Sequence, residues 1–303
     1  MWIIASRKSR LAMWQAEHVK KLLNQKARGA CDEILGLSTK GDEILNQSLS
    51  KIGGKGLFVK ELEAAMLEKK AHLAVHSLKD VPMVLPDGFA IGAILVRETP
   101  SDAFISNKYS KFLDLPKNAT VGTSSLRREF QLRLARPDIN VLPLRGNLET
   151  RLKKLDEGKF DGIILAAAGL SRLGYGQRIS EILDHELMVP AVGQGTIAVE
   201  TLSNNKDLLS FLQELSDVRT TIEVNIERRI ARLLGSSCQL PLAVFCQSNI
   251  SQTIFHVRAR LAMPNGTDLC EADLKGEDAD NLSSEVFESL MAQGAQKVLT
   301  SLR

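Results

Sequence analysis

The sequence has no apolar run that approaches the roughly 20 residues a membrane-spanning helix needs. Its longest apolar stretches lie at 90–96 and 162–170 and fall well short of that length. The apolar stretch near the amino terminus is followed at once by charged residues, so no signal peptide is expected. With 44% hydrophobic and 25% charged residues, the composition also excludes a disordered or collagen-like chain. A soluble globular protein without a membrane partner is predicted.

Cysteine is scarce as well: the four cysteines among 303 residues show neither a CxxC pair nor Cys/His zinc spacing. Free thiols in a reducing, cytoplasmic compartment and the absence of a metal site are therefore predicted. The net charge is only +3, which is too small for a general nucleic-acid binder. Gly53–Gly56 is rich in glycine but lacks the residue order of a P-loop, and no GxSxG motif marks a hydrolase.

What the sequence does contain is a regular alternation of short apolar strands and amphipathic helices. Strands are predicted at 2–6, 34–37, 73–78, 120–123, 141–144 and 162–167. Near-continuous apolar strands separated by helices are typical of parallel sheets that are covered on both faces. Two α/β units are therefore predicted, on either side of a turn-rich stretch at 99–102. A further strand at 197–202 is expected to return to the first unit.

The carboxyl-terminal third of the chain has a different pattern. A long helix at about 218–234, a hairpin and a final helix at 282–302 predict a small α+β domain. The predicted domains are domain 1 at 1–96 with a return segment at 193–214, domain 2 at 100–189, and the carboxyl-terminal domain at 217–303.

Positive charge is concentrated in residues 117–154, where nine Lys or Arg and three acidic residues give a net charge of +6. Several of these basic residues fall where a strand ends and a helix begins. Ligands of doubly wound sheets bind at the carboxyl ends of the strands, where helix N-termini favour anions and arginine matches a carboxylate. This pattern predicts a cleft for a ligand with many negative groups. A set of solvated surface charges is the alternative.

Two residues are candidates for chemistry. Asp80 comes directly after Lys79 at the end of an apolar strand, at the sheet edge where the basic cleft is expected. The alternative is that this aspartate only caps the next segment. Cys238 lies in a small-residue loop after a helix whose last turns carry three arginines. An exposed thiol in such surroundings has a lowered pKa and more thiolate, whereas a buried cysteine is inert.

Along nearly its whole length the sequence resembles the porphobilinogen deaminase family. The similar segments are Ile4–Ser9 with Trp14–Ala16, Gly53–Glu61, His76–Pro82, Val121–Arg128, Leu144–Asn147, Leu165–Gly174, Val189–Gly195 and Cys238–Pro241. The resemblance implies an α/β fold class with two doubly wound domains like those of type II periplasmic binding proteins and a small α+β domain that carries the cofactor cysteine.

The resemblance also implies an activity, a transferase reaction of heme biosynthesis. A dipyrromethane cofactor, joined to Cys238 by a thioether, is extended by four porphobilinogen units with loss of ammonia, and hydrolysis frees hydroxymethylbilane. The resemblance also implies that the protein is a monomer. Asp80 is implied as the catalytic residue. The implied cofactor-binding residues are Cys238, Ser77, Lys79, Thr123, Ser125, Arg127 and Arg128. The implied substrate-binding residues are Arg7, Ser9, Gln15, Arg145, Arg151, Arg172 and Gln194.

The chain departs from the family pattern just before the cysteine. Ser236 and Ser237 stand where the family usually has two glycines, and a serine with positive φ would cost about 1 kcal/mol or more. We expect both serines to adopt negative φ and Cys238 to carry the cofactor. Arg229, where the family often has alanine, has no functional explanation in the sequence. Two other functions stay open: a non-enzymatic two-lobed anion-binding protein, and an inactive homologue without cofactor.

Overall fold

The computed structural model describes residues 1–39, 41, 56, 58–235 and 240–302. The chain divides into two compact units. One unit consists of Met1–Glu98 with Thr196–Thr221, and the other of Thr99–Gly195 with Ile222–Arg303. The second unit thus holds both the second α/β sheet and the carboxyl-terminal sheet. The domain boundaries given above stay a prediction.

The structure is a mixed α/β protein. Its strands are β1 (Trp2–Arg7), β2 (Cys31–Leu37), β3 (Leu73–Ser77), β4 (Phe89–Ile94), β5 (Asp102–Ile105), β6 (Thr120–Gly122), β7 (Asn140–Leu142), β8 (Gly162–Ala166), β9 (Glu181–Ile182), β10 (Ile197–Leu202), β11 (Leu242–Ser248), β12 (Phe255–Leu261) and β13 (Cys270–Gly276). Its helices are α1 (Arg10–Lys26), α2 (Lys60–Leu67), α3 (Leu126–Ala135), α4 (Leu148–Asp156), α5 (Ala167–Arg172), α6 (Lys206–Gln213), α7 (Val218–Leu233), α8 (Ala279–Ala292) and α9 (Ala295–Ser301). In the described ranges, none of these helices combines the length and the apolar character that a bilayer crossing requires.

The first unit is built on a five-stranded sheet in the order β2-β1-β3-β10-β4. Strands β1, β2 and β3 are parallel, and β10 runs antiparallel between β3 and β4. One face packs on Val19 and Leu23 of α1 and on Leu212 of α6, and the other packs on Leu62 and Met66 of α2. Both faces are therefore covered, which is why the strands are apolar at nearly every position.

The second unit contains a sheet of the same design, in the order β7-β6-β8-β5-β9. Strands β6, β7 and β8 are parallel, and β5 is antiparallel to β8, with Asp102 opposite Ala166. Phe104 and Phe112 are fully buried and meet edge to face with ring centroids 6.0 Å apart. Because the parallel strands end at one edge of the sheet, the segments that follow β6, β7 and β8 gather there.

The carboxyl-terminal region of the second unit is an antiparallel sheet in the order β11-β12-β13, packed on α8. Helix α7 is attached to β11 by two buried carboxylates. Glu223 Oε1 accepts from the backbone N of Ser248 at 2.8 Å, and Glu227 Oε1 accepts from the backbone N of Cys246 at 2.9 Å. Arg229 forms an ion pair with Asp280 of α8. This contact gives Arg229 a structural role between two helices.

The α/β fold class is confirmed, but two expectations about local structure are wrong. The sheets are mixed rather than parallel, because β10 and β5 run antiparallel to their neighbours. Strands β4, β5 and β9 were not expected, and Asp102 begins a strand where a turn was predicted. The final helix at 282–302 is in fact two helices, because Gly294 adopts a left-handed φ of 96° between them. That conformation is open to glycine and ends α8.

A cluster of buried ionisable groups lies beneath α2. His76 Nε2 is 2.9 Å from Glu200 Oε2, and both side chains are almost fully buried. Glu63 of α2 is 7% exposed, and its Oε1 has no hydrogen-bond partner. Burial raises the pKa of Glu63, and the neighbouring Glu200 raises it further.

We expect Glu63→Gln to stabilise the protein at neutral pH. A carboxyl whose pKa is raised on folding contributes stability that is present below its unfolded value, 4.5 here, and lost as the pH rises through the folded value. At pH 7 the free energy of unfolding of the variant should therefore exceed that of the wild type by up to about 1 kcal/mol. Near pH 4 the difference should vanish. Urea unfolding at both pH values measures this, with the exposed Glu68→Gln as control, and a gain that is equal at both pH values would contradict the expectation.

Candidate functional site

In the first unit, polar side chains follow β1 and β3 at the same edge of the sheet. Arg7 is the last residue of β1, and Lys79 and Asp80 lie in the 3₁₀ turn Leu78–Asp80 directly after β3. Asp80 is half-buried. Within the ranges that the structure describes, its carboxylate makes no hydrogen bond or ion pair. A half-buried carboxylate without a protein partner is available to a ligand.

The other predicted residues of this unit are tied to the same edge. The Arg7 guanidinium lies 4.3 Å from the centroid of the Phe58 ring. Ser9 caps α1, its Oγ accepting from the backbone N of Ala12 at 3.4 Å. Gln15 is buried, and its Nε2 donates to Ser77 Oγ at 2.8 Å. Gln15 thus contacts a predicted cofactor residue directly.

In the second unit, the segment between β6 and α3 presents hydroxyl groups at a helix N-terminus. Ser125 caps α3, with Oγ accepting from the backbone N of Arg128 at 3.4 Å. Thr123 Oγ1 accepts in turn from the backbone N of Ser125 at 3.2 Å. A hydroxyl that accepts can still donate its own hydrogen. The start of α3 can therefore offer O–H donors to a carboxylate, in addition to its favourable dipole.

Arg127 and Arg128 are buried, with 4% and 6% of their surface exposed, and both contact Asp102. Arg127 Nη1 lies 2.7 Å from Asp102 Oδ2. Arg128 donates to Asp102 Oδ1 from Nε at 2.9 Å and from Nη2 at 2.7 Å. Burial lowers the pKa of Arg128, and the carboxylate of Asp102 acts in the opposite direction. The two arginines are thus oriented inside the protein and are not a solvated surface patch.

The turn between β7 and α4 presents Arg145. This residue is half-buried, and its guanidinium has no partner in the described part of the chain. The turn is held by Arg151, whose Nε donates to the Gly146 carbonyl at 2.8 Å, and by Lys154, whose Nζ donates to the Arg145 carbonyl at 3.0 Å. Gly146 has φ of 116°, where an added Cβ would also meet Thr150. Arg145 therefore lies on a fixed turn with its charged end available.

The last two predicted residues of this unit make hydrogen bonds to its backbone. Arg172 Nη2 donates to the Gly195 carbonyl at 2.7 Å. Gln194 Nε2 donates to the Pro100 carbonyl at 2.7 Å and to Asp102 Oδ1 at 3.1 Å. Gln194 is buried, and its hydrogen bond to Asp102 connects it to the carboxylate that Arg127 and Arg128 contact.

The predicted attachment residue Cys238 lies outside the described residues, as do Ser236 and Ser237 before it. The other three cysteines, Cys31, Cys246 and Cys270, are free and buried. Burial raises the pKa of the Cys31 and Cys270 thiols, which lowers their thiolate fraction. These three cysteines are therefore unsuited to carry a cofactor.

We expect iodoacetamide to leave the three buried thiols unmodified in the native protein, because alkylation needs an accessible thiolate. Peptide mass mapping after native labelling measures this, and labelling in denaturant provides the reference for full reaction. Native modification of Cys31, Cys246 or Cys270 at a rate close to that of the denatured protein would contradict the buried placement.

Two residues of these clusters, Asp102 and Phe58, were not predicted from the sequence. Residues 117–154 have a net charge of +6. Arginines from this stretch that are buried in the protein need a buried carboxylate as counter-charge, so an acidic residue near them was to be expected. Asp102 lies outside that stretch and reaches it only through the pairing of β5 with β8. No sequence signal placed Phe58 beneath Arg7.

Comparison with known proteins identifies the family. The family model "Porphobilinogen deaminase, dipyromethane cofactor binding domain" matches residues 2–210. A porphobilinogen deaminase of Burkholderia vietnamiensis is 50% identical over 305 residues, covering 99% of this chain and 91% of the relative. One of Nitrosomonas europaea is 47% identical over 302 residues, covering 99% and 97%.

Similar solved structures were also found. The VFT2 domain of BvgS from Bordetella pertussis matches with a TM-score of 0.42 and 17% identity, covering 71% of this chain and 85% of that one. The methionine-binding protein MetQ matches with a TM-score of 0.45 and 12% identity, covering 71% and 89%. On the strength of the family model and of relatives about half identical over almost the entire sequence, the chain belongs to the porphobilinogen deaminase family.

Proposed function

We propose that this chain condenses four porphobilinogen molecules head to tail on a dipyrromethane primer, each with loss of ammonia, and releases hydroxymethylbilane by hydrolysis. The protein is a transferase of heme biosynthesis. One observation carries this conclusion: relatives that bear the name porphobilinogen deaminase are 47–50% identical over 99% of the chain. An anion-binding protein without enzymatic activity would not explain that identity.

The donors at the edge of the second sheet are of the kind that binds a dipyrromethane. Each pyrrole ring bears an acetate and a propionate, so the group is strongly anionic. The hydroxyls of Thr123 and Ser125 lie at a helix N-terminus, and guanidinium groups lie beside it or at the same edge. Hydroxyls, helix N-termini and arginine are the donors that bind carboxylates. When bound, the dipyrromethane supplies the pyrrole carbon to which the first substrate is joined.

We assign the covalent attachment to Cys238. Two observations support this assignment: the other cysteines are unsuited to carry a cofactor, and Cys238 follows a helix that is rich in arginine near its end. The three described cysteines are buried, whereas Cys238 follows a helix whose last turns contain Arg228, Arg229 and Arg232. Positive charge near a thiol stabilises the thiolate that would form the thioether.

We assign the catalytic role to Asp80. Loss of ammonia from the aminomethyl group of porphobilinogen leaves a cation whose charge is shared with the pyrrole nitrogen. An ionised carboxylate near that N–H stabilises the cation, and it can accept the proton that the attacked pyrrole carbon loses as the rings join. The half-buried, unpartnered carboxylate of Asp80 in the turn after β3 suits this task. Lys79, beside it, supplies positive charge to the same turn.

The remaining residues bind substrate and cofactor carboxylates in this proposal. The groups that hold the cofactor are Ser77, Lys79, Thr123, Ser125, Arg127 and Arg128. The groups that hold the incoming or growing chain are Arg7, Ser9, Gln15, Arg145, Arg151, Arg172 and Gln194. Most of them lie at the carboxyl edges of the two sheets, the place where doubly wound folds bind ligands.

Two finer features belong to the proposal. The enzyme acts in the cytoplasm, which the free thiols at Cys31, Cys246 and Cys270 support. It acts as a monomer, which sedimentation at working concentration tests directly.

The activity is tested by incubating the purified protein with porphobilinogen alone. Four molecules of porphobilinogen should be consumed and four of ammonia released for each tetrapyrrole formed, and the product should have the mass of hydroxymethylbilane. Binding of porphobilinogen without release of ammonia would contradict the proposal and favour an anion-binding protein.

A further inference from the structure

Asp102 is a buried carboxylate to which the mechanism above gives no role. It is the first residue of β5 and lies opposite Ala166, the last residue of β8. This places it at the edge of the second sheet where α3 begins. Its exposed fraction is 0%. A carboxylate is expensive to bury, and it persists in a protein interior only when charged or strong donors surround it.

Asp102 accepts hydrogen bonds from two side chains and forms an ion pair with a third. Oδ1 accepts from Arg128 Nε at 2.9 Å, from Arg128 Nη2 at 2.7 Å and from Gln194 Nε2 at 3.1 Å. Oδ2 lies 2.7 Å from Arg127 Nη1. Two guanidinium groups thus share one carboxylate, and the cluster keeps one positive charge. That excess charge is able to attract a further anion.

Arg127 and Arg128 differ in how many of their side-chain nitrogens donate hydrogen bonds within the protein. All three side-chain nitrogens of Arg128 donate within the protein, Nη1 to the Ile164 carbonyl at 3.0 Å and the others to Asp102. Arg127 uses Nη1 alone, which donates to the Val189 carbonyl at 2.7 Å and faces Asp102. Across the described ranges, Nε and Nη2 of Arg127 have no partner. Those two nitrogens form the edge of a guanidinium that binds a carboxylate through two parallel hydrogen bonds.

We propose that Asp102 is a positioning residue, which fixes the guanidinium of Arg127 so that its Nε–Nη2 edge is held ready for a pyrrole carboxylate. Arg128 and Gln194 hold Asp102 in place. This inference rests on the proposed function, since it takes a pyrrole carboxylate as the ligand of Arg127. The gain from such an arrangement is entropic, because an arginine that is already oriented loses little freedom when the ligand binds.

The test is the acquisition of cofactor by cofactor-free protein, prepared from cells that cannot make porphobilinogen. Protein is incubated with a series of porphobilinogen concentrations, and the covalent two-pyrrole adduct is followed by intact mass. Asp102→Asn keeps the shape of the side chain but removes its charge and turns one oxygen into a donor that faces the arginines. We expect the half-saturating porphobilinogen concentration of the folded variant to rise about tenfold or more, and circular dichroism measures the folded fraction, which the loss of the buried counter-charge should also lower. A merely structural role would lower the folded fraction without changing that concentration.

The matched control is Asp138→Asn, which breaks the ion pair of a half-buried aspartate with Arg136 in the same unit and should load as the wild type does. If Asp102→Asn does not fold, Asp102→Glu decides the question, since it keeps the negative charge but moves the carboxylate by one methylene relative to Arg127, and it should raise the half-saturating concentration about threefold. If the Asp102 variant that folds acquires the adduct at the same porphobilinogen concentrations as the wild type, the positioning role of Asp102 is overturned and the proposed function is not. Failure of the wild type and Asp138→Asn to acquire any adduct would contradict the proposed function, and this inference with it.

Discussion

Replacing Asp80 by asparagine is expected to leave the cofactor attached but to lower kcat by about 100- to 1000-fold, the loss typical of removing one electrostatic contact to a transition state. Asparagine keeps the size and planarity of the side chain and removes only its charge. A pyrrole cation formed by loss of ammonia would then lack its stabilising counter-charge. Because Asp80 has no protein partner in the described ranges, the substitution should break no contact within the fold.

The measurements are steady-state turnover of porphobilinogen, intact mass and thermal unfolding of the same preparation. Asp87→Asn provides a matched control, since Asp87 is exposed and lies a few residues further along the chain. We expect this control to have wild-type kcat. An Asp80→Asn protein that carries the adduct and turns over at a rate close to that of the wild type would remove Asp80 from the mechanism.

Replacing Arg145 by leucine is expected to raise KM for porphobilinogen about 10- to 100-fold, the loss typical of a charged hydrogen bond, or to stop elongation at an intermediate chain length. The guanidinium of Arg145 has no partner among the described residues, so its removal should not unfold the protein. Arg127→Leu is less suitable for this purpose, because it also removes a partner of the buried Asp102 and should destabilise the second unit.

Intact mass of enzyme quenched during turnover resolves chains of different length on the protein. Arg133→Leu is the matched control, since it removes an arginine paired with Glu129 on the surface of α3. Its ladder of intermediates should be that of the wild type. An unchanged KM and an unchanged ladder in Arg145→Leu would show that Arg145 does not hold a substrate carboxylate.

The strand ends that carry the site could be predicted because they follow uninterrupted apolar runs. Residues 73–77 are almost all buried, and the run ends at the polar segment that contains Asp80. The same argument placed Ser125 and Arg145 where helices begin after strands. Such patterns depend only on residues that are close together in the chain, so they could be predicted from the sequence.

Features that depend on pairing between distant segments could not be predicted in the same way. Strand β5 has only four residues and pairs with β8, about sixty residues later in the chain. Asp102 becomes the counter-ion of two arginines only through that pairing, so its role is invisible in the sequence around it. Arg127 and Arg128 were expected to line a cleft, and the sequence gives no indication that burial against Asp102 orients them.

The most direct test of the account is the intact mass of the purified protein under denaturing conditions, compared with that of Cys238→Ser. We expect the wild type to exceed its sequence mass by a two-pyrrole adduct, and the serine variant to have its sequence mass and no activity. Wild-type protein that turns over porphobilinogen without any adduct, or an adduct that persists in Cys238→Ser, would contradict the covalent primer on which the proposed mechanism depends.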